Sequence, residues 1–308
     1  NTTCLNVEHV GSQPFNGRLI DATIINGVKA SINRNITNAE VLKANSSFFL
    51  SINGFKSINR LFKTKRGLRL KQSNFFMGGI EDLENGATPF LKKVNKVKSF
   101  YVGENHPESA YLISKVTKNR SKVIKILNKK IEKALKKPNE NISIINWYEK
   151  YPETWFIHRS PEFAPIVFNY YLRNRPVHLY VENLHHSDNF YGLIPLENGF
   201  TYAYLAILNS TAVCIEILSH ARNQGANLAK IQLFEYREVL IPDISILDIK
   251  TKNKFERLGR KLIKQENRTL NVIREIDNLV FETWKDERLN PINLEKEYIR
   301  IDNKAKKR

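Results

Sequence analysis

Residues 164–195, "APIVFNYYLRNRPVHLYVENLHHSDNFYGLIP", carry the reading on which the fold turns. "PIVFNYYL" and "VHLYVEN" are rich in β-branched and aromatic residues, and the turn-forming "RNRP" separates them, so two strands joined as a hairpin are expected. The following "LHHSDNFYG" sets His185, His186 and Asp188 close together before Phe190, Tyr191 and Gly192. On an extended segment adjacent side chains point to opposite faces, so His185 and His186 are poor joint ligands for one ion. A His–Asp pair for acid–base work also needs a nucleophile or cleft that nothing nearby announces. Surface or interface histidines are the default. His, Ser, Asn and Tyr just downstream of Arg173 and Arg175 are also donors suited to phosphates and base edges.

Upstream, residues 1–54 mix β-like runs, "LIDATIING" and "SSFFLSI", with Asn and Gly, and read either as an irregular lead-in or as the tail of a preceding catalytic domain. From residue 55, strand-length apolar pieces alternate with basic turns: "NRLFKTKRG", "SNFFMGG", "SFYVG" and "AYLISKV". Residues 121–137 place Val123, Ile124, Leu127, Ile131 and Leu135 at three-to-four spacing among lysines, which predicts an amphipathic helix with a basic outer face, ended by Pro138.

Downstream, "YAYLAILNSTAVCIEILSHAR" is too long for a strand and predicts one buried helix, with Leu205, Leu208, Ala212, Ile215 and Leu218 on one face. "LFEYREVLIPD" predicts a helix or loop leading into a short strand stopped by Pro242. Over 251–284 apolar residues recur at Phe255, Leu258, Leu262, Leu270, Ile273, Ile276, Val280 and Phe281, as in a long helix or helical hairpin, and "DNKAKKR" reads as a solvated basic tail. The expected class is α+β: a mixed, sheet-rich domain over 55–249 and a C-terminal helical region over 250–308.

Forty-nine Lys and Arg against 31 Asp and Glu leave a net charge of +18, which points to a polyanionic partner, nucleic acid ahead of an anionic membrane surface. Abundant Lys, Asn and Ile also fit a host with an AT-rich genome. Two cysteines, Cys4 and Cys214, are too few for a disulfide framework and suit a reducing cytoplasm. No run of about 18 apolar residues would span a bilayer, and the start does not resemble a signal peptide, so a cytoplasmic protein with no membrane partner is expected. The chain begins at Asn1 and its only methionine is Met77, as expected of a fragment of a longer polypeptide.

Several chemistries leave no trace. There is no G-x-G, G-x-S-x-G or H-E-x-x-H. "PDISILDIK" offers Pro242, Asp243, Asp248 and Lys250 in the order of a PD…DxK nuclease site, but a proline-terminated strand followed by a basic linker explains the same residues.

Taken as one unit, residues 164–195 resemble the core of the target-recognition domain of TaqI-type (gamma-class) adenine-N6 DNA methyltransferases of restriction-modification systems. In that group a strand of the form "aPIVF…RnRP" precedes a segment ending in "NNFYg". Three further pieces follow the family's order. "LFKTKRGLRLKQSNFFM" resembles "vkRGlatGaNdFF". "YLAILNSTAVCIEIL" resembles "LlalLNSs", with "RNQGANLAKIQLFEYREVLIPD" where the family has a Gly-rich "GGGl.Kl…el..lpiPd". "VIREIDNLVFETW" is similar to "iD.lVy.ly". The matches span about residues 55–284. The family's "TG.N" reads Leu70-Lys71-Gln72-Ser73-Asn74 here, and its triple glycine reads Gly225-Ala226-Asn227. The catalytic N-P-P-Y and the methyl-donor loop are absent, and no Pro-Pro occurs in the chain.

The resemblance implies the recognition half of a methyltransferase. Its partners would be double-stranded DNA, a catalytic domain in cis or trans, and a cognate restriction endonuclease as a further candidate. No catalytic residue, metal or cofactor is expected in this chain; S-adenosylmethionine is implied for the catalytic domain. Lys63, Lys65, Arg66, Arg69 and Lys71 would line a DNA-facing loop or strand, and the hairpin with Arg173 and Arg175 would form a second prong. Asn74, His186, Asn189, Arg222 and Lys230 complete the candidate DNA contacts, each weighed against a solvated surface role. The alternatives are a specificity subunit of a multi-subunit restriction system, which would carry two recognition domains where one is visible, and a PD…DxK-like nuclease.

Overall fold

The structure is a computed structural model and describes residues 5–15, 18–27, 49, 52–69, 75–83, 87–93, 97–103, 109–112, 120–155, 162–224 and 228–306. The class is α+β. The chain forms two compact units built from interleaved segments: Asn1–Lys63, Asn169–His178 and Pro195–Arg308 make the first, Thr64–Phe168 and Leu179–Ile194 the second.

In the first unit, strands β1 (Leu5–Phe15) and β2 (Arg18–Gly27) pair as an antiparallel hairpin with a register shift between His9 and Gly11, within the stretch expected to be irregular. Strand β3 (Phe55–Ser57) pairs with β16 (Leu240–Pro242), and the short helix α1 (Ile58–Leu61) follows β3. The predicted single buried helix is two: α4 (Thr201–Leu208) and α5 (Thr211–His220), bent by 63°.

The break is chemically stabilised. The Asn209 side chain accepts from the His178 backbone N–H at 3.0 Å and donates to the carbonyls of His178 and Leu205 at 3.1 and 2.9 Å. The Ser210 hydroxyl accepts the Val213 N–H at the start of α5. Side chains that satisfy the loose backbone groups of two helix ends hold the bend in place. Ala203 to Leu208 and Thr211 to Ile217 are buried, as befits a core pair. No single helix among the described residues is long and apolar enough to cross a membrane.

The expected helical hairpin is present as α7 (Ile249–Ile263) and α8 (Leu270–Trp284), and a further helix, α9 (Pro291–Lys306), takes in residues expected to be a basic tail. Phe255, Gly259 and Leu262 of α7 are buried; a Cβ on Gly259 would lie 1.8 Å from the Tyr202 carbonyl oxygen. Only glycine permits that approach. Glu256 accepts the Ala203 N–H at 2.9 Å, placing a negative charge at the start of α4, where the exposed N–H groups favour it. Trp284 packs between Phe55 and Phe255, with ring centroids 6.2 and 6.1 Å away.

The second unit holds most of two sheets. One has the order β4 (Phe62–Arg66), β13 (Phe190–Pro195), β9 (Ile166–Asn169), β11 (His178–Val181), β7 (Tyr101–Val102). The two strands expected on either side of "RNRP" are therefore neighbours. The other sheet has the order β12 (His185–His186), β6 (Thr88–Leu91), β8 (Ser109–Leu112), β5 (Met77–Gly78).

Helix α2 (Arg120–Leu135) forms where the spacing predicts it, burying Val123, Leu127, Ile131 and Ala134, while Leu135 faces outward. Pro138 opens the next helix, α3 (Pro138–Lys150), as its first residue, a place where a missing N–H costs nothing. The buried residues of α2, with Ile144 and Ile145 of α3, pack with Phe76, Phe90 and Trp155 into one apolar cluster. Full burial of a residue such as Leu127 contributes about 2 kcal/mol.

Candidate nucleic-acid interface

Most of "LHHSDNFYG" sits inside the second unit, with only Asp188 and Asn189 partly exposed. β12 runs parallel to β6, pairing His185 with Phe90 and His186 with Leu91. The Leu68 N–H donates to the His186 carbonyl at 2.9 Å, and the Gly67 N–H to the Phe190 carbonyl at 3.0 Å. The Ser187 hydroxyl donates to the Lys92 carbonyl at 3.0 Å. The His186 imidazole fills space left by two glycines: a Cβ on Gly67 would lie 2.5 Å from its Cδ2, and one on Gly192 would lie 2.8 Å from its Cε1. Phe190 and Tyr191 are fully buried.

His186 is therefore corrected from a DNA contact to a core residue. Burial, then the neighbouring His185, lowers its pKa to about 4, so the ring is neutral. His185 stacks on Phe163 with centroids 4.1 Å apart, and burial lowers its pKa too. Gly67 is needed because the chain passes against Ser187 with no room for a side chain, the proposed Cβ lying 2.1 Å from that carbonyl oxygen.

Around this core the second unit carries outward cations. Lys65 and Arg66 are exposed on β4, and Lys65 reaches Glu162 at 3.2 Å. Arg69 is 88% exposed, with Asp188 at 3.9 Å, a distance at which solvent screens most of the attraction. Asn189 is half-buried beside Asp188. Lys63, the neighbour of Thr64 at the end of the first unit's opening segment, is exposed. Lys71 and Asn74 lie outside the described residues, as does Gly225-Ala226-Asn227. On α2, Lys122, Lys125, Lys129 and Lys133 are exposed, whereas Lys130 turns inward and donates to the carbonyls of Phe75 and Met77 at 2.8 and 2.5 Å, its pKa lowered by burial.

In the first unit, two candidates, Lys230 and Arg222, share a small sheet with the strand that immediately precedes a third, Arg173. Strand β10 (Tyr171–Leu172) pairs with β15 (Ala229–Lys230), which pairs with β14 (Arg222–Asn223). The register sets Tyr171 opposite Lys230 and Lys230 opposite Arg222, one row whose side chains share a face. The Lys230 ammonium lies 5.5 and 5.2 Å from the rings of Tyr170 and Tyr171. Arg222 lies over Phe234 at 5.8 Å and pairs with Glu235, both on the short helix α6 (Leu233–Glu238). Arg173 is exposed immediately after β10.

Arg175, two residues on, is turned inward. It donates to the Thr211 hydroxyl at 3.0 Å and lies 5.2 Å from the Tyr298 ring centre. Thr211 in turn donates its N–H and hydroxyl to the buried Asp277 carboxylate, at 2.7 and 2.6 Å. Burial raises the pKa of Asp277, and the two Thr211 bonds and Arg175 oppose the rise. Arg175, half-buried, thus anchors the segment that displays Arg173.

Asp277, Tyr171 and Phe234 were not among the sequence candidates. Asp277 had a signal: an acid on the apolar stripe of Ile273, Ile276 and Val280 needs a buried donor. For Tyr171 and Phe234 only the row itself reveals a role.

The PD…DxK residues have structural work. Asp243 accepts from the Ser245 N–H at 2.9 Å and pairs with Lys56 at 2.7 Å. Burial favours its protonation, but those bonds hold its pKa below the usual value. Asp248 caps α7 through the Thr251 N–H and hydroxyl, at 2.9 and 2.8 Å. Among the described residues no group of three or more His, Cys, Asp or Glu is placed to hold a metal.

The second unit also has a shallow cleft of about 220 Å³ between residues 163–165 and 180–183. Its carboxylate, Glu182, accepts the Tyr101 hydroxyl. Pockets for drug-sized and cofactor-sized ligands run to roughly 300–1,000 Å³, larger than this cleft.

No protein-family model matches the chain, and no curated protein matches it in sequence. Among solved structures it is similar to the type IIG restriction endonuclease BpuSI, with a TM-score of 0.58 and 14% identity, over 87% of this chain and 33% of that one. The chain spans about a third of that enzyme's length, and the likeness is one of fold.

Proposed function

We propose that this chain is the DNA sequence-recognition part of a site-specific adenine-N6 methyltransferase in a restriction-modification system. The observation that carries the reading is the row Tyr171, Lys230 and Arg222 beside Arg173, which gathers three cations from the motifs that resemble the TaqI-type recognition domain. The fold likeness to a third of a type IIG restriction endonuclease supports a place in restriction-modification.

In this reading Lys65, Arg66 and Arg69 contact phosphates, which gives affinity that falls with salt, and base-edge donors such as Asn189 add specificity of roughly 1 to 3 kcal/mol per bidentate pair. Transfer to adenine N6 belongs to a catalytic domain carrying S-adenosylmethionine, and this chain's part is to grip and orient the duplex. Extruding the target base costs a few kcal/mol, which contacts from the recognition side help to offset.

The test is competition binding of the chain to a randomised duplex pool at several salt concentrations. Enrichment of one short sequence, with affinity falling steeply as salt rises, is expected. Equal retention of all duplexes would sink the recognition role.

A further inference from the structure

We propose that the row Tyr171, Lys230 and Arg222, with Phe234 at its edge, is a stacking platform for unpaired nucleobases of a DNA strand. The inference rests on the DNA-binding reading and narrows it to one form of DNA at this site.

Tyr171 is 41% exposed and Phe234 62% exposed, so both rings are open to solvent. Each is held by its own surroundings. The Tyr171 ring lies 4.5 Å from the ring of the buried Tyr170, and Lys230 lies near both; Arg222 lies over Phe234 and donates to Glu235. The rings are therefore presented in set positions, which lowers the entropy lost when something stacks on them.

The pairing of exposed rings with cations selects the ligand. An intact duplex offers phosphates and base edges, and its base faces are covered by their neighbours. An unpaired stretch offers faces to Tyr171 and Phe234 and phosphates to Lys230, Arg222 and Arg173, the combination used by single-strand binding surfaces. Two steps between strands span roughly 10 Å, the length of about three stacked nucleotides. Such a stretch arises wherever a duplex is opened, as base extrusion requires.

The experiment is fluorescence anisotropy of the full chain with a labelled duplex and with the same duplex carrying a gap of about three nucleotides. The gapped form is expected to bind about tenfold more tightly. Tyr171→Ala and Phe234→Ala should each lower affinity for the gapped form more than for the intact duplex and so reduce that preference, Tyr171→Phe should retain it, and Lys230→Gln should weaken both forms. Both ring positions are exposed, so thermal unfolding should match the parent, and either variant serves if the other misfolds. Equal affinity for the two DNAs, or a preference that survives the double ring substitution, would overturn the platform. Loss of sequence preference with the gap preference intact would instead strike the recognition reading and leave the platform standing.

Discussion

Along the stretch from Lys65 to Arg69 the cations stand out from one extended segment with acids at 3.2 and 3.9 Å, whereas in the Tyr171, Lys230 and Arg222 row each cation lies against an aromatic ring. The first arrangement suits phosphates, which ask only for charge within reach. The second sets charge beside ring, the arrangement on which the proposed stacking of unpaired bases rests. The same contrast recurs over two residues of "RNRP", where Arg173 faces out and Arg175 is drawn to Thr211. What a basic residue does in this protein is decided by what its neighbours offer, not by its charge.

The largest expected break in that comparison is at the anchor. Asp277→Ala would strand the Thr211 donors and remove the countercharge of Arg175, costing about 4 kcal/mol. Urea unfolding should show it, and Asp277→Asn, which keeps one acceptor, should cost less. If the alanine variant loses under 1 kcal/mol, the anchoring account is wrong.

Close packing ranks next. Gly259→Ala drives a Cβ to 1.8 Å from the Tyr202 carbonyl, and Gly67→Ala drives one to 2.1 Å from the Ser187 carbonyl. Each should lose about 3 kcal/mol, the first in the unit holding the stacking row and the second in the unit holding Arg69. Separate effects on gap preference and on salt dependence would show that the two surfaces are maintained independently.

Acid should act through buried histidines. His178, with its Nε2 2.7 Å from the Tyr236 hydroxyl, has its pKa lowered to about 3, chiefly by burial, and His186 to about 4. Both lie below the ordinary value of 6.5, so the unfolded chain takes up these protons first. Stability is full above about pH 6.5, is lost as pH falls, and levels off below the folded values. Between pH 6.5 and 5 each should remove roughly 2 kcal/mol. A denaturation midpoint unchanged over that interval would contradict it, and His186→Gln should flatten its share of the profile.

The smallest change in stability is expected at Arg69, which is 88% exposed. Arg69→Gln should shift stability by under about 0.5 kcal/mol yet lower the slope of duplex affinity against salt by about 1. Arg175→Gln should do the reverse, destabilising the unit by about 2 kcal/mol through the lost inward bonds. Identical behaviour of the two variants would erase the distinction between outward and anchored arginines.

Local pattern located most of the elements. The α2 helix, the neighbouring strands on either side of "RNRP" and the α7–α8 hairpin follow from periodicity and turn residues. The break between α4 and α5 did not, because the apolar run continues through "LNST" and the bend depends on bonds from Asn209 to His178, distant in sequence. The "HH" of "LHHSDNFYG" suggested a polar surface, and nothing local told of the room made by Gly67 and Gly192. Arg222 and Lys230 were recognisable as basic residues within family-like motifs, but not as a row with Tyr171.

The sequence by itself determined the α+β class, the basic character and the amphipathic faces, because these depend on residue type and spacing within one segment. Tertiary structure decided which histidines are buried, which arginines face out and which rings meet which cations. Those outcomes depend on contacts between segments tens of residues apart, which linear spacing does not encode.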